Sequence, residues 1–347
     1  MTDYAALRDV IAPLRAAQYD WTPGGVRAAW DRVVDPSAIV HMCHPFGDVA
    51  GNDAMEHILA PLHAAMPDVE RRDWIVMSGP DGDGADWVGC AGTFVGTFLH
   101  PFLDIPPTGH LAHMRYHEFY RIKDAKVVEV QAIWDLPELM MQAGAWPMAP
   151  SLGREARVPG PAGGHGVLTA ERDAQASDTS LSFVREMLTA MGRHPKEPPE
   201  AMLMPRYWHP KMTWYGPAGI GTARGIAGFR NWHQIPFLAA MPDRGRYKDT
   251  VGFHFFADGA FVGVTGWPNM RQTLTHDGWL GIAPAGKTVE MRSLDFWRIE
   301  AGLIRENWVL LDLLDIYRQL GVDVLARMRQ FNLARPTGHA AIAQEYA

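Results

Sequence analysis

Cysteine is nearly absent from these 347 residues, and that scarcity excludes several classes of protein. Cys43 and Cys90 are the only two, too few for a disulfide framework or a thiolate zinc site. They read as reduced, buried thiols of a cytoplasmic protein. No run of about 18 apolar residues occurs, so no membrane-spanning helix is expected. The opening MTDYAALRDVIAPLRAAQYD has acids in its first turns and no apolar stretch of the kind a signal peptide carries. Positive charge is in deficit: 32 Lys and Arg face 39 Asp and Glu, a net −7, which argues against nucleic acid as a partner. GPDGDGADWVG and GIGTARG are acidic or short turns and not phosphate loops that open a helix. The 15 histidines invite a metal through His41-x-x-His44 and His113-x-x-x-His117. Neither spacing is that of a zinc site, and strand alternation turns His113 and His117 away from the acid at 118. Neither metal nor cofactor is expected.

What the chain does contain is itself, twice. Residues 105–144 align with 282–321 without a gap at 13 identities in 40, where average residue usage predicts about two or three. Among them are Arg115/Arg292, Phe119/Phe296, Arg121/Arg298, Glu129/Glu306, Asp135/Asp312 and Gly144/Gly321. Upstream, AAMPD recurs at Ala64–Asp68 and Ala239–Asp243. A period of about 175 residues is far beyond that of a solenoid, so each copy is a whole domain. With 47% hydrophobic and 20% charged residues, the chain can bury two cores. The Gly/Pro-dense stretch between the copies sets the division: a first domain over 1–149, a linker over 150–175, a second domain over 176–333 and a tail over 334–347. The expected arrangement is two copies packed across their sheets as an intrachain pseudo-dimer, with further homo-oligomerisation open.

Each copy runs helices first and an antiparallel sheet afterwards, which is α+β. The closing hairpin alternates, so Tyr116, Glu118 and Tyr120 share one face, with Ser293, Asp295 and Trp297 as counterparts. Met-Pro-Asp, Ile-Pro-Pro-Thr-Gly, Phe-x-Arg-Ile with its following turn, the Glu and Asp of the last strand and helix, and Gln-x-Gly together resemble the SnoaL-like polyketide cyclase group of the nuclear transport factor 2-like superfamily. The resemblance implies a cone-shaped curved antiparallel sheet, a cystatin-like α+β barrel, wrapped around helices and an apolar cavity. Activity is not implied, because one such fold hosts cyclases, isomerases, dehydratases, epoxide hydrolases and binders.

Asp135 and Asp312 begin the last helix of each copy with an acid three residues on, which reads as a capping box rather than a catalytic pair. The resemblance would place an acid/base aspartate three residues earlier, where this chain has Ala132 and Val309. Glu118 and Asp295 occupy a position at which relatives keep a cavity histidine or an oxyanion-binding acid. A carboxylic acid between aromatic walls is desolvated and available as a proton donor; the plainer alternative is an acid paired with an arginine such as Arg115 or Arg292. His41 and His44 lie at the strand end and His-Pro-x-Gly turn that relatives use for a base. In the second copy His233 is the available base, on a helical face with Phe229 and Phe237. Tyr116, Tyr120 and Trp134 in the first copy, and Trp214, Tyr215, Trp297 and Asn307 in the second, would line cavities for a small apolar organic ligand. The function expected is a cofactor-independent acid/base enzyme of cyclase, isomerase, dehydratase or lyase type, with its chemistry mainly in the first copy. The alternatives are a non-catalytic hydrophobic-ligand binder and an epoxide hydrolase, which would need a convergent Asp-Arg-Asp cluster.

Overall fold

A computed structural model of the chain describes residues 3–276 and 278–333, so the expected tail at 334–347 lies outside the described residues. In the first unit β1 (Val34–Met42), β2 (Gly47–Ala50), β3 (Glu70–Pro80), β4 (Asp86–Thr97), β5 (Leu111–Lys123) and β6 (Lys126–Trp134) join in the order β2-β1-β6-β5-β4-β3. The second unit contains β7 (Trp208–Tyr215), β8 (Ala223–Arg224), β9 (His254–Asp258), β10 (Phe261–Thr265), β11 (Met270–Leu274), β12 (Lys287–Met291), β13 (Ser293–Glu300) and β14 (Leu303–Leu311). Its main sheet runs β8-β7-β14-β13-β10-β9, strand for strand the order of the first, with β11 and β12 as a separate ribbon. The α+β class expected from the sequence is present. Neighbours are antiparallel except where the first strand of each unit lies parallel to the last, β1 on β6 and β7 on β14, so the sheets are mixed and not wholly antiparallel.

Local sequence accounts for the helices. Asp3, Thr22 and Asp173 cap three of them, each accepting from a backbone N–H three residues on. In both units the helix carrying the AAMPD motif contains a π-helical turn, Met55–Leu59 and Arg230–Gln234, just ahead of Pro61 and Pro236. Proline has no N–H for the regular helical bond, and the wider turn accommodates its absence.

The units differ where the second sheet is interrupted. β4 and β5 run unbroken for 12 and 13 residues, whereas β10 stops at Thr265 ahead of Pro268, which cannot donate to a ladder. Asn269 spans the gap with its side chain, donating to Ser293 O at 2.6 Å and accepting from Ser293 N at 2.9 Å. β9 has five residues where β3 has 11, because residues 242–253 form turns and coil instead of strand.

The two sheets pack on each other through the faces turned away from their helices. Phe119 and Phe296, equivalent in the repeat, stack at 4.9 Å, and His117 Nδ1 lies 2.6 Å from Leu294 O. Gly89 and Gly263 make this approach possible: a Cβ on Gly89 would sit 3.0 Å from the Phe296 ring, and one on Gly263 3.2 Å from Phe119. The Gly/Pro-dense stretch at 150–175, proposed from sequence as a linker, is an ordered strap. It pairs Arg154 with Thr222 and Val167 with Val76, so it is fastened to both units.

Candidate functional site

The interior of the first unit is filled. Phe94 packs on Tyr116 at 4.7 Å and on Trp134 at 5.0 Å, with Phe46 against Trp134 at 6.0 Å. Glu118 is buried among donors: Arg71 Nη1 at 2.6 Å and Tyr120 OH at 2.5 Å give to Oε2, and Trp134 Nε1 at 2.9 Å gives to Oε1. The plainer alternative therefore describes Glu118, with Arg71 as the partner in place of Arg115 or Arg292. Arg71 also donates to Asp73 at 3.0 Å and to Gln18 at 2.9 Å, and Tyr116 OH donates to Asp73 at 2.7 Å. Burial pushes the Asp73 carboxyl upward, but Arg71 and Arg15 outweigh it and hold the group below the usual carboxylate range. Tyr116, Tyr120 and Trp134, expected as cavity lining, are thus ring packing and hydrogen-bond partners of a buried ionic cluster.

Strand register separates the expected histidine bases from this acid. Glu118 pairs across to Ala132, and Ala132 to Met42, so these share the inner face. His41 pairs with Gln131, which pairs with Phe119, and so lies on the opposite face, where its Nδ1 is 2.8 Å from Asp48 Oδ1 and its ring is 5.9 Å from Trp267 of the second unit. His44 is half-buried in the turn after β1, and its backbone N–H donates to Asp312 Oδ2 at 3.0 Å. Burial lowers its pKa, and the charges acting on it, Asp315, Arg318, Asp323 and Arg292, all belong to the second unit. Neither histidine is placed to exchange a proton with Glu118.

The second unit has the opposite character. Asp295 is surrounded by protein, and part of the residue keeps accessible surface. Its hydrogen-bond donor is the Ser293 hydroxyl. Burial pushes its pKa up to about 7, opposed only by that bond. The reason is the lost strand: the residues that would correspond to Arg71 and Asp73 fall in the turns before β9, so no arginine reaches Asp295. Trp297, Asn307 and Trp214 are paired in register, and hence share the face of Asp295 one row away. Strand spacings put the Cα atoms of Asp295 and Trp214 roughly 12 Å apart. His233 stacks on Trp214 at 4.1 Å, with Phe229 at 5.4 Å and Phe237 at 5.6 Å, as the aromatic stripe predicts. Its Nδ1 is buried without a partner, and burial, with the charge of Arg244, pushes its pKa down to about 3. The ring is a neutral imidazole at physiological pH. Tyr215 does not join this site. It alternates with Trp214 to the interface face, stacks on Trp308 at 5.4 Å and points its hydroxyl at Glu306.

Asp135 and Asp312 tie the units together. Arg115 donates to Asp135 at 2.9 Å and to Tyr215 O and Gly216 O of the other unit at 3.2 and 2.6 Å. Asp135 also accepts from Ala218 N at 3.0 Å, and makes no cap bond to its own helix. Asp312 does cap, accepting from Asp315 N at 3.3 Å, and reaches across to His44 N. The capping expectation thus holds for Asp312 and is corrected for Asp135, whose Oδ2 is committed to the interface while its Oδ1 is buried without a partner. Sequence reading missed Arg71 and Asp73. Their signal was present in alternation, Arg-x-Asp on one strand face, but nothing local pointed that face at Glu118.

The SnoaL-like polyketide cyclase family matches at residues 15–143 and 200–320, more than half of the chain. Among solved structures, IdmH of Streptomyces antibioticus, assigned as a polyketide cyclase, is 23% identical over 39% of this chain and 96% of its own, with a TM-score of 0.33. AclR of Streptomyces galilaeus, assigned as a hydroxylase, is 22% identical over 42% of this chain and 85% of its own, TM-score 0.35. TsrD of Streptomyces laurentii is 19% identical over 42% and 98%, TM-score 0.35. No functionally curated protein matches.

Proposed function

This chain belongs to the SnoaL-like polyketide cyclase family, and from that premise we propose that it is a cofactor-independent acid/base enzyme whose chemistry lies in the second unit, acting on a small apolar carbonyl compound. One observation carries the choice of unit. Glu118 and Asp295 are the same position of a duplicated domain, but Glu118 is held by three donors, an arginine among them, while Asp295 has only a serine hydroxyl. An acid/base group works best with a pKa near the operating pH, and the Asp295 value of about 7 meets that condition.

In this reading the Asp295 carboxylate removes a proton from the carbon beside the substrate carbonyl. The electron pair moves to the carbonyl oxygen, which accepts a hydrogen bond from the neutral His233 imidazole. The enolate then either closes on an electrophilic carbonyl carbon, whose oxygen takes the proton from Asp295, or is reprotonated on carbon by Asp295; in both cases Asp295 returns to carboxylate. Trp214 and Trp297 hold an apolar ring in place and exclude water. Cyclase, isomerase, dehydratase and lyase outcomes share this first step.

The test does not need the natural substrate. Deuterium exchange at the α-carbons of 2-tetralone in D2O, followed by NMR, should be accelerated by the intact chain, rising with pH through an apparent pKa of about 7. Asp295→Asn should lower the rate by about 10²-fold or more. Exchange undiminished in Asp295→Asn would sink the assignment, and absence of exchange across related ketones would favour the ligand-binding alternative. A second reading has one observation behind it: Asp73, Arg71 and Glu118 converge in the first unit, the Asp-Arg-acid grouping that epoxide opening requires, and a surface cleft of about 460 Å³ reaches Arg71 and Asp73. Hydrolysis of styrene oxide that is lost in Asp73→Asn and kept in Asp295→Asn would establish it.

A further inference from the structure

The loop that backs Trp214 belongs to the second unit but is held from outside it. Residues 216–222 follow β7 directly, and the backbone of Gly216 lies so close to the Trp214 indole that a Cβ there would fall 2.2 Å from the ring. Trp214 in turn stacks on His233 at 4.1 Å. Arg115 of the first unit donates through Nη1 to Tyr215 O at 3.2 Å and through Nη2 to Gly216 O at 2.6 Å, so it grips the two residues that come next after Trp214. Asp135 holds the guanidinium at 2.9 Å and accepts from Ala218 N at 3.0 Å. The strap grips the rest of the loop: Glu155 accepts from Gly219 N at 3.0 Å, Gly153 N donates to Ile220 O at 2.9 Å, and Arg154 pairs with Thr222. The repeat shows that the arginine grip runs one way. Arg292, the counterpart of Arg115, pairs with Asp312 at 3.1 Å and lies over Trp267 at 4.7 Å, both in its own unit, and its side chain is 24% exposed against 2% for Arg115. Enclosing Arg115 costs free energy, and its Nε is left without a partner. What the enclosure supplies is a fixed position for the backbone that carries Trp214.

We propose that Arg115 is a positioning residue for the chemistry of the second unit, and that the first unit, its own acid paired with Arg71, serves as the scaffold that sets Trp214 against His233. The proposal rests on reading Asp295 and His233 as the reacting groups. A planar guanidinium fork that spans adjacent carbonyls fixes the direction of the backbone as well as its place. A displaced Gly216 moves the Trp214 ring, and with it the imidazole that meets the substrate oxygen. Misplacement by about 1 Å is enough to cost about 10²-fold in rate. The site is therefore incomplete in a second unit standing alone.

Arg115→Lys in the full chain tests this, because one ammonium keeps the charge beside Asp135 but cannot span two carbonyls as well. Two quantities are read: the rate of 2-tetralone exchange, and the NMR resonance of the His233 Hε1 proton, assigned by its loss in His233→Gln and shifted upfield by the stacked Trp214 ring. In Arg115→Lys the resonance should move downfield and the exchange rate should fall about tenfold or more, with the pH midpoint of the rate unchanged because Asp295 is untouched. Asp312→Ala is the control. It removes the contact that the second unit makes to His44 N of the first, and in its folded fraction both readouts should match wild type. Where Arg115→Lys does not fold, Asp135→Asn is read in its place; it is nearly isosteric, removes the charge that aims Arg115, and should show the same two changes at smaller size. A resonance that stays in place, a rate that stays at the level of an active wild type, or equal changes in Asp312→Ala would each overturn the proposal, the last because any loosening of the interface would then act alike. A wild-type chain that exchanges no 2-tetralone proton would defeat the functional reading alone, and the resonance would still decide whether Arg115 sets Trp214 against His233.

Discussion

Asp295→Asn should stabilise the protein by an amount set by pH, and the size follows from the burial of the carboxyl. Burial moves the folded-state pKa of Asp295 to about 7, against about 3.9 in an unfolded chain. The folded state therefore binds this proton more tightly. Below about pH 4 both states are protonated, and the stabilising preference for the proton is fully present. Between about pH 4 and 7 the unfolded chain gives up its proton while the folded one keeps it, so stability falls as pH rises. Above the folded pKa the loss is complete, about three units at 1.36 kcal/mol each, or about 4 kcal/mol. Asparagine is neutral at every pH, nearly isosteric, and still accepts from the Ser293 hydroxyl. The difference in unfolding free energy between variant and wild type should be small near pH 4 and grow to about 4 kcal/mol in favour of asparagine by pH 8. Urea titrations at a series of pH values measure it, and the titrations of Asp135, Asp312, His44 and His233 cancel because both proteins contain them. A difference that stays constant across this range, or a variant less stable at pH 8, would show that the carboxyl is solvated or structurally required, and the argument for Asp295 as the acid/base group would fail.

Glu118→Gln should behave oppositely, costing about 1–3 kcal/mol because Arg71 loses one of its two buried carboxylate partners and keeps Asp73, while 2-tetralone exchange by the folded fraction is retained; thermal melts and the exchange assay check the two halves. Asp312→Asn retains a single acceptor oxygen, so it should keep the cap, lose the bond from His44 N and cost about 1 kcal/mol. Asp312→Ala should cost about 2 kcal/mol by losing both bonds, and comparable melts for the two variants would refute this. Gly166→Ala should loosen the strap, since a Cβ there would lie 2.2 Å from Trp74 O; a cost of about 1–3 kcal/mol and faster proteolysis within 150–175 are expected, and an unchanged digestion pattern would count against it. Small-angle scattering of the whole chain should show one compact particle, and two separated bodies would contradict the packing of Phe119 on Phe296.

The duplication, the α+β class and the family were legible from the residues alone, because they depend on identities at fixed spacing and on alternation, which are properties of a line. The same alternation placed Asp295 with Trp297, and the helical period placed His233 with Phe229 and Phe237. Paired side chains across the repeat were visible in part: Arg121 with Glu129 and Arg298 with Glu306 are repeated cross-strand pairs. What the line could not contain was partnership across strands and units. His41 is two residues from Cys43 and near Glu118 in any alignment of motifs, but register sets it on the other face of the sheet. Glu118 and Asp295 are indistinguishable by position. Whether each is a closed ion pair or an open acid depends on whether a strand some 45 residues upstream delivers Arg71 or dissolves into turns. Proton affinity is set by the charges and the water within a few ångströms of a group, and those neighbours come from distant parts of the chain, so the tertiary structure alone decided which of the two acids is paired with an arginine.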